Sequence, residues 1–411
     1  MSLKSLLGLI AAVTLVAACG GGGGSSSGGG APDGGGNGGD PRLSGGQTTI
    51  FNATSEAFEQ PAPNLSAAQQ AKHAAGDARF DVQFVSAGND VHPGLGPIFN
   101  ADSCGACHIK NGRGRPVDDS GQTTEQIQIR ASLPTADGDS APYPLQNFGL
   151  QLQTDATFGV TPEVKVKIQY QSIDGQYSDG EPYTLVAPHY IFEQPYVPLP
   201  ADFEYSPRVA PPVFGRGLLE AIPPERLEQL ADPMDANGDG ISGEIQRVTN
   251  METGATGVIG RFGHKAGQPT IRQQVASAYQ DDMGVTNPAR PEESSNGQNQ
   301  DDMRTDDPEI SEEILEQTAF YIATLAVPAR RDVDNPQVRR GEALFTTSIS
   351  AGGLGCAACH TQTLRTASGA PLEALLSVSF PDDGPNPLAD QVVHPYTDLL
   401  LHDMGPGLAD G

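Results

Sequence analysis

Two pentapeptides, Cys104-Gly-Ala-Cys107-His108 and Cys356-Ala-Ala-Cys359-His360, use four of the five cysteines in this 411-residue chain. Both read C-x-x-C-H, the sequence to which c-type haem is covalently attached. The chemistry needs every part of it. Two thiols at i and i+3 add across the vinyl groups of one porphyrin, and the adjacent imidazole then lies under the iron as proximal ligand. A four-thiolate zinc site does not require histidine as the next residue in both copies, and a thioredoxin-like redox pair expects a βαβ context that these flanks lack. Disulfides suit an exported chain, but haem attachment already accounts for the thiols. Two covalently bound haems c are expected.

The fifth cysteine, Cys19, follows a segment with one positive charge at Lys4 and an apolar run from Leu6 to Ala18, too short for a permanent membrane span. Residues 1–18 are expected to be a lipoprotein signal peptide, with Cys19 lipidated and anchored at the periplasmic face of the outer membrane or at the cell surface. Residues 19–46, mostly Gly and Ser, cannot bury a core and form a flexible tether with an r.m.s. reach of roughly 30 Å. The formal net charge of −27 argues against nucleic acid as a partner. It favours a basic redox partner, although an exported protein can be acidic without one.

The body divides at the motifs. Residues 47–330 are expected to form a first haem domain with a large insert, and residues 331–411 a second, cytochrome c-like haem domain. The fold class expected is mainly α, two cytochrome c-like domains with a partly β insert between the haem motifs. A helix starts at Ser66, and Phe99 in the Gly-rich approach to the first motif is a candidate haem contact. Gly341, Leu344 and Phe345 precede the second motif with the spacing of a helix packed on a porphyrin edge. Strands are expected at about 160–200, where Val164, Val166, Ile168 and Tyr170 alternate with polar residues. Helices are read at 217–231, broken at Pro223-Pro224, and at 309–326. The acid-rich stretch 281–307 reads as a mobile loop.

A third signal is the loop at 235–244. Asp235, Asn237 and Asp239 supply oxygen ligands at positions 1, 3 and 5 of a calcium loop, Gly240 the turn, and Ile241 a backbone carbonyl. Gln246 stands where a bidentate Glu is usual, with Glu244 as a substitute, so Ca2+ competes here with a plain Asp/Asn/Gly turn.

Several runs together resemble one family: GLGPIFNADSCGACHIKNGRGRP (94–116), FGRGLLEAIP (214–223), DANGDGISG (235–243), GRFGHKA (260–266), QDDMG (280–284) and PYTDLLLHDMGPGLADG (395–411). The chain is identified as a member of the bacterial dihaem c-type oxidoreductases, lipoproteins described as dihaem peroxidases or thiol oxidoreductases. The resemblance implies one electron-storing haem and one reactive haem, since peroxide takes two electrons and donors deliver them singly. It implies a periplasmic donor or acceptor protein, a small cytochrome or copper protein. A closed dihaem electron carrier and an oxidase of thiols or small substrates remain alternatives. By motif match, Glu220 or Arg216 is the candidate acid beside the reactive iron, with helix salt bridge or haem propionate contact as the plainer role. Met404, 45 residues after Cys359, is the favoured distal ligand of the second haem, with His402 as competitor, and Met283 is a weaker candidate for the first. Relatives carry tryptophan at the position of His264, and this chain has none. Relatives also run on past the GLADG segment, so a C-terminal portion is expected to be missing.

Overall fold

The computed structural model describes residues 39–86, 92–116, 126–134, 144–305, 307–405 and 408. The expected signal peptide and Cys19 lie outside them. Asp40–Gly411 form one compact unit. Packing begins inside the Gly/Ser-rich run: Gly45 is buried, and Ser44 O accepts the His394 N–H at 2.8 Å.

Helix α1 (Ala67–Phe80) starts at a capping box in which Ser66 and Gln69 satisfy each other's backbone N–H groups. Its buried face is Gln69, His73, Gly76 and Phe80, the i, i+4, i+7, i+11 stripe of one helix side. One turn, α2, spans Cys104–Cys107. Helices α3 (Arg216–Glu220) and α4 (Pro224–Leu230) are separated where Pro223-Pro224 forbids continuation, as the sequence predicts. Next come α5 (Ile271–Met283), α6 (Glu312–Thr324), α7 (Pro336–Thr346) and α8 (Gly369–Leu375). Helices α1 and α6 pack so closely that a Cβ on Gly76 would stand 2.1 Å from Gln317 O.

Between the haem motifs the alternating residues do form strands. Glu204–Val209, Ile127–Ser132 and Gln151–Leu152 make a three-stranded antiparallel sheet, whose inward residues Ile127, Ile129 and Leu152 share a core with Phe148 and Val164. Lys165–Gln176 pairs with Pro182–Glu193 in a long antiparallel hairpin. Two larger cores lie among the helices, beside a small cluster of Phe80, Val213, Tyr321 and Leu325. One joins α5 and α6 to Phe84 and Val378, and the other joins α3 and α4 to Leu364, Leu372, Leu388 and Val393.

The expectation of a mainly α fold made of two cytochrome c-like domains is overturned. Helix accounts for 27% and strand for 20%, in eight short helices and several small sheets among the described residues. The 50 glycines and 34 prolines explain the shortness, because each interior Gly costs a helix about 1 kcal/mol and each Pro about 3. The stretch read as a mobile loop is also different. Residues 281–283 close α5, and Val285, Thr286, Asn287, Ser295 and Gln300 are buried.

Candidate haem sites

The first motif is positioned by α5. The Asp282 carbonyl at the end of α5 accepts the N–H groups of Asn100 (2.8 Å) and Ala101 (3.1 Å), and the Met283 carbonyl accepts that of Gly96 (3.1 Å). Gly96 and Gly284 face each other so tightly that a Cβ on Gly96 would lie 2.7 Å from the Gly284 Cα. Ser103 then caps the turn by accepting the Ala106 N–H, which sets Cys104 and Cys107 one turn apart with neither sulfur in a disulfide. Burial, with Asp282 adding to it, pushes the Cys104 thiol up to about 12, so it stays protonated.

His108 follows, with Nδ1 2.8 Å from Pro211 O. A carbonyl can only accept, so Nδ1 carries the hydrogen and Nε2 presents its lone pair, the tautomer and orientation a metal-ligating imidazole needs. Burial holds His108 down at about 4, with the nearby Arg216 charge acting in the same direction and the Pro211 bond opposing. The ring is therefore neutral at physiological pH. Phe80 stands 6.3 Å from it between ring centroids, and Tyr321 lies 5.4 Å beyond Phe80. Arg216 donates to Pro212 O at 2.6 Å. His264 is lowered by burial and then by the charges of Arg208, Arg113 and Arg216, so a cationic group collects beside this pocket.

The second motif has the same logic on a different local frame. Gly355, at φ +69°, turns the chain into a 3-10 turn over Cys356–Ala358. His360 places Nδ1 2.9 Å from Tyr396 O, again leaving Nε2 free. Phe345, from the predicted helix, packs 5.8 Å from the His360 ring and edge-on to Tyr396. His360 itself is exposed, and α7 buries none of its residues. Leu344, Ile349 and Leu354 stand 41, 76 and 63% exposed around the motif. An amphipathic helix and three apolar side chains without cover are what a porphyrin face would shield, at roughly 25 cal/mol per Å² removed from water. Both sites thus fit haem: two cysteines on one turn outside any disulfide, an oriented imidazole, and apolar or aromatic walls.

The other candidates separate. His402 has both nitrogens engaged, Nδ1 with Ser242 O at 2.8 Å and Nε2 with Asp398 Oδ2 at 2.9 Å, whereas Met404 is 68% exposed. Met283 is buried in the α5–α6 core. Arg216 lies beside His108, but Glu220 faces elsewhere. Its carboxylate accepts the Ile271 N–H (2.8 Å), the Ser377 hydroxyl (2.8 Å) and the Ser377 N–H (3.2 Å), so it holds the start of α5. Arg261, which the sequence reading missed, is buried opposite it, donates to Leu219 O at 3.1 Å, and is lowered to about 10 by burial. In the Asp235 loop the side chains of Asp235, Asn237 and Asp239 accept backbone N–H groups of residues 239–241. That loop adjoins the second site: Glu244 bridges to Leu401, and the Asp239 charge reaches Cys359.

Residues 39–133 and 140–411 match the family model described as "Di-haem oxidoreductase, putative peroxidase". The chain belongs to this family. No curated protein and no solved structure matches significantly. The two C-x-x-C-H turns of this di-haem oxidoreductase correspond in number to the two haem groups that its family implies. The signals that sequence reading lacked were Pro211 O and Tyr396 O, backbone acceptors that any residue could supply.

Proposed function

We propose that haem is attached covalently through Cys104 and Cys107 and through Cys356 and Cys359, with His108 and His360 as proximal ligands, and that the protein reduces hydrogen peroxide. Bound haem supplies the redox iron, one site storing an electron and the other passing two electrons to peroxide as it takes up two protons and leaves as two waters. The observation that carries this reading is the unequal exposure of two identically oriented imidazoles, His108 half-buried and His360 exposed. His108, neutral and half-buried, belongs to the reactive site, where Pro211 O holds its ring. Arg216 and His264 there face haem carboxylates or the peroxide oxygens. His360, at the surface, belongs to the site where a periplasmic donor, a small cytochrome or copper protein, delivers single electrons.

Met404 is the distal ligand proposed for the second haem, because its thioether is uncommitted and His402 is held by two hydrogen bonds. The Asp235–Ile241 loop is a proposed Ca2+ site that stiffens the segment carrying His402. Export and lipidation at Cys19 complete the reading and rest on the sequence alone.

Purified holoprotein decides it. Two haems c by pyridine haemochrome and intact mass, with a high-spin ferric signal that responds to peroxide, are expected. Two low-spin haems indifferent to peroxide identify an electron carrier instead. Turnover of thiols without peroxide identifies an oxidase.

A further inference from the structure

The segment that links α5 to α6 takes no part in either haem site. Within it Glu293, Asp307 and Glu309 each bring a carboxylate oxygen within 4.8 Å of the others. Thr286 serves two of them. Its N–H donates to Glu309 Oε2 at 2.6 Å, and its single hydroxyl hydrogen is shared between Glu309 and Asp307, 2.9 Å away. One proton cannot satisfy both acids.

A second observation does not depend on the acids. Six buried side-chain polar atoms among the described residues lack a hydrogen-bond partner, and five belong to Glu293–Gln300: Glu293 Oε2, Ser294 Oγ, Ser295 Oγ, Gln298 Oε1 and Gln300 Oε1. Ser295 is fully buried and Gln300 nearly so. Flipping the Gln300 amide does not help, since its Nε2 donates to the Thr161 carbonyl at 3.4 Å and a carbonyl cannot donate back. Each orphaned buried atom costs about 1–3 kcal/mol. Their concentration in eight residues gathers five unpartnered oxygens, three of them carbonyl or carboxylate oxygens that only accept and two of them hydroxyls that can also turn a lone pair to a cation, as a hard cation's ligand shell requires.

We propose that Glu293, Asp307 and Glu309 bind one calcium ion, with buried oxygens of Glu293–Gln300 completing its shell directly or through water. Carboxylate, hydroxyl and amide oxygens in an irregular loop suit the six to eight ligands Ca2+ takes at roughly 2.3–2.6 Å better than the strict octahedron of Mg2+. All-oxygen donors exclude a thiolate- or imidazole-seeking metal. The ion ties the linking segment to Thr286 at the exit of α5. It also ties it to Gly94, at φ +116°, where an added Cβ would lie 2.7 Å from the Glu309 side chain. Gly94 opens the approach to the first haem motif, so the site braces that approach from behind.

The test uses full-length holoprotein carrying Asp235→Asn, which silences the other calcium loop. After EDTA treatment, Ca2+ is titrated by calorimetry while thermal unfolding and amide exchange are followed. One bound ion, a Tm raised by several degrees and slowed exchange confined to 284–309 are expected, with Mg2+ reproducing little of it. Glu293→Gln loses at least about tenfold in affinity, together with the Tm gain. Asp307→Asn, at an exposed position, does the same should Glu293→Gln fold poorly. Unchanged Tm and exchange up to millimolar Ca2+ overturn the proposal. So does a Glu293→Gln protein that is more stable than its parent and equally indifferent to Ca2+, the behaviour of a repelling acid cluster with no ion.

Discussion

The two C-x-x-C-H turns carry the same chemistry in opposite surroundings. At the first, Cys104 packs against both the α5–α6 core and the Phe80–Tyr321 cluster, and His108 is half-buried beside Phe80. At the second, α7 contributes nothing to the core, and apolar side chains ring an exposed His360. Yet each imidazole is oriented by one backbone carbonyl at nearly the same distance, 2.8 and 2.9 Å. Ligand geometry is therefore set locally, by one carbonyl per site, while access and dielectric are set by the tertiary packing. The first motif is already packed into a core, whereas beside the second an apolar face stands uncovered.

The largest effects should come from removing the attachments. Replacing Cys104 and Cys107 by alanine, or Cys356 and Cys359 by alanine, should each lower the intact mass by one haem. Only the first pair should also lower the Tm of the apoprotein, because only those sulfurs are part of a core. Equal Tm losses would erase the distinction between a packed site and an uncovered one.

Phe80→Ala and Leu354→Ala probe the walls. Phe80 is buried between His108 and Tyr321, so its truncation should cost about 3–5 kcal/mol by denaturant unfolding. Leu354 is exposed, and its truncation should cost the apoprotein less than about 0.5 kcal/mol while weakening the haem-loaded form. An apoprotein equally sensitive to both would mean that the second site is also pre-packed.

Acid should separate the sites next. His73, buried behind Tyr321 with Nδ1 on the Thr324 hydroxyl at 2.8 Å, is lowered by burial to about 4. Its folded pKa lies below the unfolded value of about 6.5, so between those values the unfolded chain binds the extra proton. Stability is then lost as pH falls from about 6.5 toward 4, by on the order of 2–3 kcal/mol. Tm against pH should show this slope and His73→Asn should flatten it. The absorption bands of the first haem should change before those of the second.

How much of this was legible in the sequence follows from where each signal resides. Side-chain patterns were readable: the two motifs, the 164–170 alternation, the Pro-Pro break after α3, and Phe345 beside His360. Backbone acceptors were not, since Pro211 and Tyr396 act through carbonyls that any residue carries. The helical fold class failed because haem motifs suggested cytochrome domains while glycine and proline were already cutting the helices short. At Glu220 the local partners were not legible either: its carboxylate accepts three hydrogen bonds, from Ile271 at the start of α5 and from Ser377. Residues 281–307 read as a mobile loop because their polarity was visible and the burial of Thr286, Ser295 and Gln300 was not.

The smallest effect concerns charge at the exposed site. Asp239 acts on Cys359 from the neighbouring loop, so in calcium-free protein Asp239→Asn removes a negative charge near the second haem and should raise its midpoint potential. At a solvent-screened position the interaction is worth about 0.5 kcal/mol, or on the order of 20 mV for one electron. The first haem, on whose Cys104 and His108 the Asp239 charge does not act, should keep its potential within error in a redox titration resolved by band. The shift should shrink as salt rises, because screening acts on exposed charges and spares buried ones. A shift of similar size at both haems would mean that the two irons share one electrostatic environment, and the contrast between a half-buried and an exposed site would not extend to their potentials.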